Sequence, residues 1–90
     1  MIVCFDVDGC LVDKEMLPIE ANVSLLKTLS KNHKVFVWSG EGWQHALNVV
    51  MNLSIQNDIQ GVLNKYNTII PDIAFDDKEI NLGKLNICTK

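Results

Sequence analysis

Five polar side chains that could act together stand at abrupt ends of apolar runs. Met1-Ile2-Val3-Cys4-Phe5 runs into Asp6 and Asp8, Val35-Phe36-Val37-Trp38 stops at Ser39-Gly40, and Ile73-Ala74-Phe75 stops at Asp76-Asp77. Asp6 and Asp8 are two apart, so an extended chain would point both to one side. With Asp76 and Asp77 nearby, four carboxylates would resist ionising together. A hard cation removes the conflict. Magnesium takes oxygen ligands, uses one or two carboxylates, and leaves its other positions to water and substrate phosphate. A cluster of Asp6, Asp8, Asp76 and Asp77 therefore predicts Mg²⁺ and, through it, a phosphate.

Other residues suit the same anion. Ser39-Gly40 precedes a helical pattern and offers a hydroxyl, a flexible residue and the free N–H groups of a helix start. As a plain alternative, Ser39 could cap that helix. Lys65 could neutralise phosphoryl oxygens, with Lys78 as its competitor and a surface lysine as the default. A carboxylate can attack phosphorus as a nucleophile. A second can protonate the leaving oxygen and later activate water. Phosphoryl transfer needs mostly positioning and charge neutralisation, which this set supplies.

These residues need a scaffold that gathers them. Residues 2–7 are apolar on both faces until Asp6, as in a strand buried on both sides of a parallel sheet. Ile19, Val23, Leu26 and Leu29 recur at helical spacing and predict a helix over 18–31, with Pro18 at its first position. Residues 35–38 read as a second strand and 42–53 as a second helix. Short strands follow near Val62, at 73–75 and at 85–88. Alternating strands and helices imply right-handed crossovers and a mainly parallel sheet, which binds ligands beyond its carboxyl ends. Trp38 and Trp43 read as core, His45 as a surface helix residue, and Asp13 as solvated.

The motifs resemble those of the haloacid dehalogenase (HAD)-like superfamily. Phe5-Asp6-Val7-Asp8-Gly9 is similar to its first motif, DxDG after an apolar strand. Val37-Trp38-Ser39-Gly40 is similar to the second, Lys65 to the third, and Ile73-Ala74-Phe75-Asp76-Asp77 to the fourth. The resemblance implies a Rossmann-like three-layer α/β/α sandwich and phosphate-ester hydrolysis. It makes Asp6 the nucleophile and a magnesium ligand. Asp8 becomes the general acid/base, with its backbone carbonyl on the metal. Ser39 would hydrogen-bond the phosphoryl group, Lys65 would offset charge, Asp76 would ligate magnesium, and Asp77 would do so directly or through water. Cys10 stands where the family often has Thr or Val. The intervals Asp8–Ser39 and Ser39–Lys65 are too short for a cap domain, so the core should be abridged and its site open. An open site suits a large phosphorylated substrate, such as a macromolecular end, or one closed by a second copy in a homo-oligomer. Segment 64–72 is short for a crossover helix.

Composition narrows the field further. Ninety residues make one domain, and 48% hydrophobic with 21% charged residues is ordinary for a globular one. A net charge of −3 argues against extended nucleic-acid binding. No apolar run reaches the roughly 18 residues of a membrane span, and Asp6 comes too early for a signal peptide. Cys4, Cys10 and Cys88 form no CxxC pair and are odd in number, so they read as reduced thiols of a cytoplasmic protein. The expected activity is a Mg²⁺-dependent phosphatase working through an aspartyl-phosphate on Asp6. The alternatives are a non-catalytic phosphate- or metal-binding module, a phosphotransferase, and a phospho-accepting receiver domain. The last would carry its acceptor Asp at the third strand's end, where Leu63-Asn64-Lys65 has none.

Overall fold

The structure, a computed structural model, describes residues 1–89. Its elements run β1 (Ile2–Asp6), α1 (Glu20–Ser30), β2 (Lys34–Ser39), α2 (Trp43–Leu53), β3 (Gly61–Asn64), β4 (Ile73–Asp76) and β5 (Leu85–Cys88). The five strands form one sheet in the order β3-β2-β1-β4-β5, parallel at every pairing. This is the expected α/β fold with a parallel sheet. No helix of the described residues is long and apolar enough to cross a membrane.

Strand alternation sorts the core into two faces. Val3, Phe5, Val35, Val37 and Phe75 pack with Val23 and Leu26 of α1 and with Ala46, Val49 and Val50 of α2. Cys4, Trp38 and Ala74 face the other way. Both helices therefore cover one face. The steps β1 to β2 and β2 to β3 go in the same direction across the sheet, and right-handed crossovers then put both helices on one side.

The opposite layer is where the fold is abridged. The return from β3 to β4 crosses three strand positions in the eight residues 65–72. Three spacings are about 14 Å, and eight extended residues reach roughly 26 Å. An eight-residue helix would span only about 12 Å, so the link crosses without one, bending over 65–68 with Asn67 at φ +59°. Partly buried Ile80 and Leu82, from the link between β4 and β5, and Phe36 and Leu63 close over Trp38 instead. Trp38 is completely buried, and its indole Nε1 has no hydrogen-bond partner.

Two local expectations shift. α1 starts at Glu20 with Ile19 as its N-cap, not at Pro18. Pro18 instead forms a short bridge with Val12, and the Ile19 N–H donates to the Leu11 carbonyl at 2.8 Å, which holds the chain against the preceding loop. That loop is tightly built. The Val7 carbonyl accepts from the N–H groups of Cys10, Leu11 and Val12, and Leu11 and Val12 are buried. Asp13 is not simply solvated: its Oδ1 accepts from the Glu15 and Leu17 N–H groups.

Trp38 supports a layer that has no helix. Trp38→Ala should lower the unfolding free energy in urea, followed by far-UV circular dichroism, by about 3–5 kcal/mol. Trp38→Phe should cost clearly less, because it also removes an unsatisfied buried N–H.

Candidate functional site

Register explains why distant residues meet. Phe5 pairs with Phe75, so the next residues, Asp6 and Asp76, end neighbouring strands at one level. The two phenylalanine rings stack beneath them with centroids 4.5 Å apart. Trp38 pairs with Asp6, which brings Ser39 alongside, and Ser39 pairs with Asn64, which delivers Lys65. Strand order reverses direction between β1 and β4, and such reversals open a ligand crevice at the carboxyl edge.

Asp6, Asp8, Ser39, Gly40, Lys65 and Asp77 all line one open cavity of about 490 Å³, with Lys78 at its wall. Asp76 lies just beneath it, fully buried. Lys65, itself nearly buried, brings Nζ to 3.5 Å from Asp6 Oδ1 and 2.5 Å from Asp76 Oδ2. Of the two candidate lysines, Lys65 is the one that pairs with these carboxylates. Apart from that charge contact, Asp76 Oδ2 has no well-directed hydrogen bond. Asp76 Oδ1 accepts from the Lys78 backbone N–H at 3.0 Å.

The electrostatics follow from burial and crowding. Loss of water and the charge of Asp76 push the Asp6 carboxyl up to about 6, against the pull of Lys65. Burial and a hydrogen bond with Asp76 also raise Asp77. Burial works to lower Lys65, but the Asp76 contact and the charge of Asp6 outweigh it and hold the ammonium above its ordinary value. Asp6, Asp76 and Asp77 could hold a metal ion. Each offers a carboxylate oxygen, and these atoms lie within 4.8 Å of one another. The buried Asp76 Oδ2 fits such an ion, since its one close contact, the Lys65 ammonium, is not a well-directed hydrogen bond.

The surrounding backbone is specific to this packing. Gly9 has φ +79°, and a Cβ there would collide with the Asp77 carboxylate. Ser39 does not cap α2. Its Oγ accepts from the Glu41 N–H at 3.0 Å, which leaves the hydroxyl hydrogen to donate elsewhere. The helix N-cap is Gly42, and the Trp43 N–H is satisfied by Asn64 Oδ1 at 2.8 Å. Trp43, the first residue of α2, is not core but 44% exposed. Cys10 is fully buried, and burial pushes its thiol up to about 12, so it serves as packing.

Sequence reasoning missed two partners. Asn64 caps α2 from the end of β3, and His45 Nε2 lies 3.2 Å from both carboxylate oxygens of Asp8. Neither has a motif. The spacing of Glu41 and His45, one turn apart beyond Ser39-Gly40, was the sole hint.

Because the fold raises the Asp6 carboxyl, its ionisation opposes folding: stability is full below about pH 4 and falls as pH rises to about 6. Asp6→Asn should therefore raise the melting temperature at pH 7.5 in EDTA and change it little at pH 4, as read by thermal denaturation. The chain matches no protein-family model, no curated protein and no solved structure, so the chemistry of the site itself has to carry the functional reading.

Proposed function

We propose that the protein is a capless Mg²⁺-dependent phosphatase that hydrolyses phosphoric monoesters through an aspartyl-phosphate on Asp6. The observation that carries this is the arrangement of Asp6 and Asp76 around the Lys65 ammonium at the ends of adjacent parallel strands, under an open cavity. The resemblance of the four motifs to the HAD-like superfamily supports the same chemistry.

In this reading a carboxylate oxygen of Asp6 attacks phosphorus, and the bond from phosphorus to the ester oxygen breaks. Asp8, half exposed at the cavity wall, gives the departing oxygen its proton. Asp8 then takes a proton from water as that water attacks the aspartyl-phosphate, which restores Asp6 and releases phosphate. The Ser39 hydroxyl and the Lys65 ammonium hold the phosphoryl oxygens, with Gly40 leaving room for them. Asp6, the Asp8 carbonyl, Asp76 and Asp77 would hold Mg²⁺, which when bound supplies charge neutralisation for the transferred group. The cavity is open to water, the second substrate, and wide enough for the phosphorylated end of a large molecule.

Purified protein should release p-nitrophenol from p-nitrophenyl phosphate with Mg²⁺, and EDTA should abolish the release. Asp6→Asn should lower kcat by more than about a thousandfold, as expected for removal of a nucleophile. An Asp6→Asn variant that keeps its rate would rule out attack by Asp6. Asp8→Asn should still label Asp6 with phosphate from this good leaving group but should turn over slowly, seen by mass spectrometry as an acid-stable phosphoenzyme that hydroxylamine cleaves.

A further inference from the structure

We propose that His45 is a positioning residue for Asp8. It would hold the Asp8 carboxyl in the orientation that delivers a proton to poor leaving groups. The proposal rests on the phosphatase reading above and adds a residue that no motif marks.

Asp8 needs such help. Its side chain is 51% exposed, and among the described residues its only side-chain partner is His45. A carboxyl so open to water samples several rotamers, and ordering it costs free energy. The 3.2 Å distance from Nε2 to both oxygens brackets the carboxyl group from one side. A carboxylate can only accept, so His45 Nε2 carries the hydrogen and donates it. When Asp8 is protonated, one oxygen keeps the His45 bond while the other turns to the leaving oxygen.

His45 also stands on firm ground. The next residue, Ala46, is completely buried under α2, and the start of that helix is tied to β3 through Asn64. Glu41 Oε2 lies 3.6 Å from the same nitrogen, beyond hydrogen-bond range, so Asp8 is the partner of the imidazole. His45 does not line the cavity. It reaches Asp8 from behind and acts through it, without touching substrate.

The test compares kcat/KM, which reports phosphorylation of Asp6, on an alkyl phosphate and on 2,4-dinitrophenyl phosphate. The alkoxide leaves only with a proton, whereas dinitrophenolate leaves without one. His45→Phe should lower kcat/KM on the alkyl ester by about 10- to 100-fold, the usual cost of misplacing a catalytic group. On the dinitrophenyl ester the change should stay within experimental scatter. His45→Gln, which keeps an N–H donor at similar reach, should restore most of the alkyl-ester rate, and if His45→Phe does not fold, His45→Ala takes its place and should show the same selective loss. Equal losses on both esters, or no loss on the alkyl ester, would overturn the positioning role while leaving the phosphatase reading intact. Absence of Mg²⁺-dependent turnover of either ester by the wild-type protein would overturn both.

Discussion

Two buried carboxylates at the ends of neighbouring strands need a cation, and much of this structure follows from supplying one. Asp6 and Asp76 stand side by side because Phe5 and Phe75 are paired in register and stacked below them. Asp76 is completely buried, and Asp6 nearly so. Lys65 answers the repulsion with a single ammonium between two negative groups, and Asp77 adds a third carboxyl close by. Burial is the main reason the Asp6 carboxyl stays raised despite its lysine, and the charges of Asp76 and Asp77 add to it. A pocket with surplus negative charge and a buried oxygen lacking a directed hydrogen bond could hold a metal ion.

The short chain meets this requirement with few elements. Two helices on one face are enough to hold β1, β2 and β3, and the β1–β4 edge carries the acidic cluster. Among the described residues the opposite face has only irregular links, with Trp38 as its central buried group. That economy opens the site: no long insertion follows β1 or β2, and among the described residues nothing folds over the cavity. The loop after Asp6 closes on itself through the Val7 carbonyl. Asp8 sits on that loop with an exposed side chain, so its orientation has to come from elsewhere, and α2 provides it through His45.

Much of this was legible in the chain. The apolar runs ending in Asp6, Ser39 and Asp76 marked three strand ends, because a switch from apolar to polar residues within one position is what a buried strand shows where it leaves the core. β5 fell on residues 85–88 as expected, and the second helix moved by a single residue. The first helix was misplaced at its start because Pro18 fits a first helical turn equally well as it fits the bridge it makes with Val12. Trp43 looked like core from its size, yet it stands at the first residue of α2 and is largely exposed, while Ala46 one turn on is buried.

By itself the sequence determined the alternation of strands and helices, and so a parallel sheet with its polar residues collected at one edge, because periodicity and chain reach are local properties. It also determined which carboxylates, hydroxyl and lysine were available there. Only the tertiary structure decided which lysine pairs with Asp6 and Asp76, that Asp76 lies below the cavity, that Gly9 must be bare for Asp77 to approach, and that His45 and Asn64 serve residues far from them in sequence. Those outcomes depend on register between strands and on the seating of α2 against the sheet. Both are fixed by the joint packing of side chains from several segments, which no single stretch of sequence encodes.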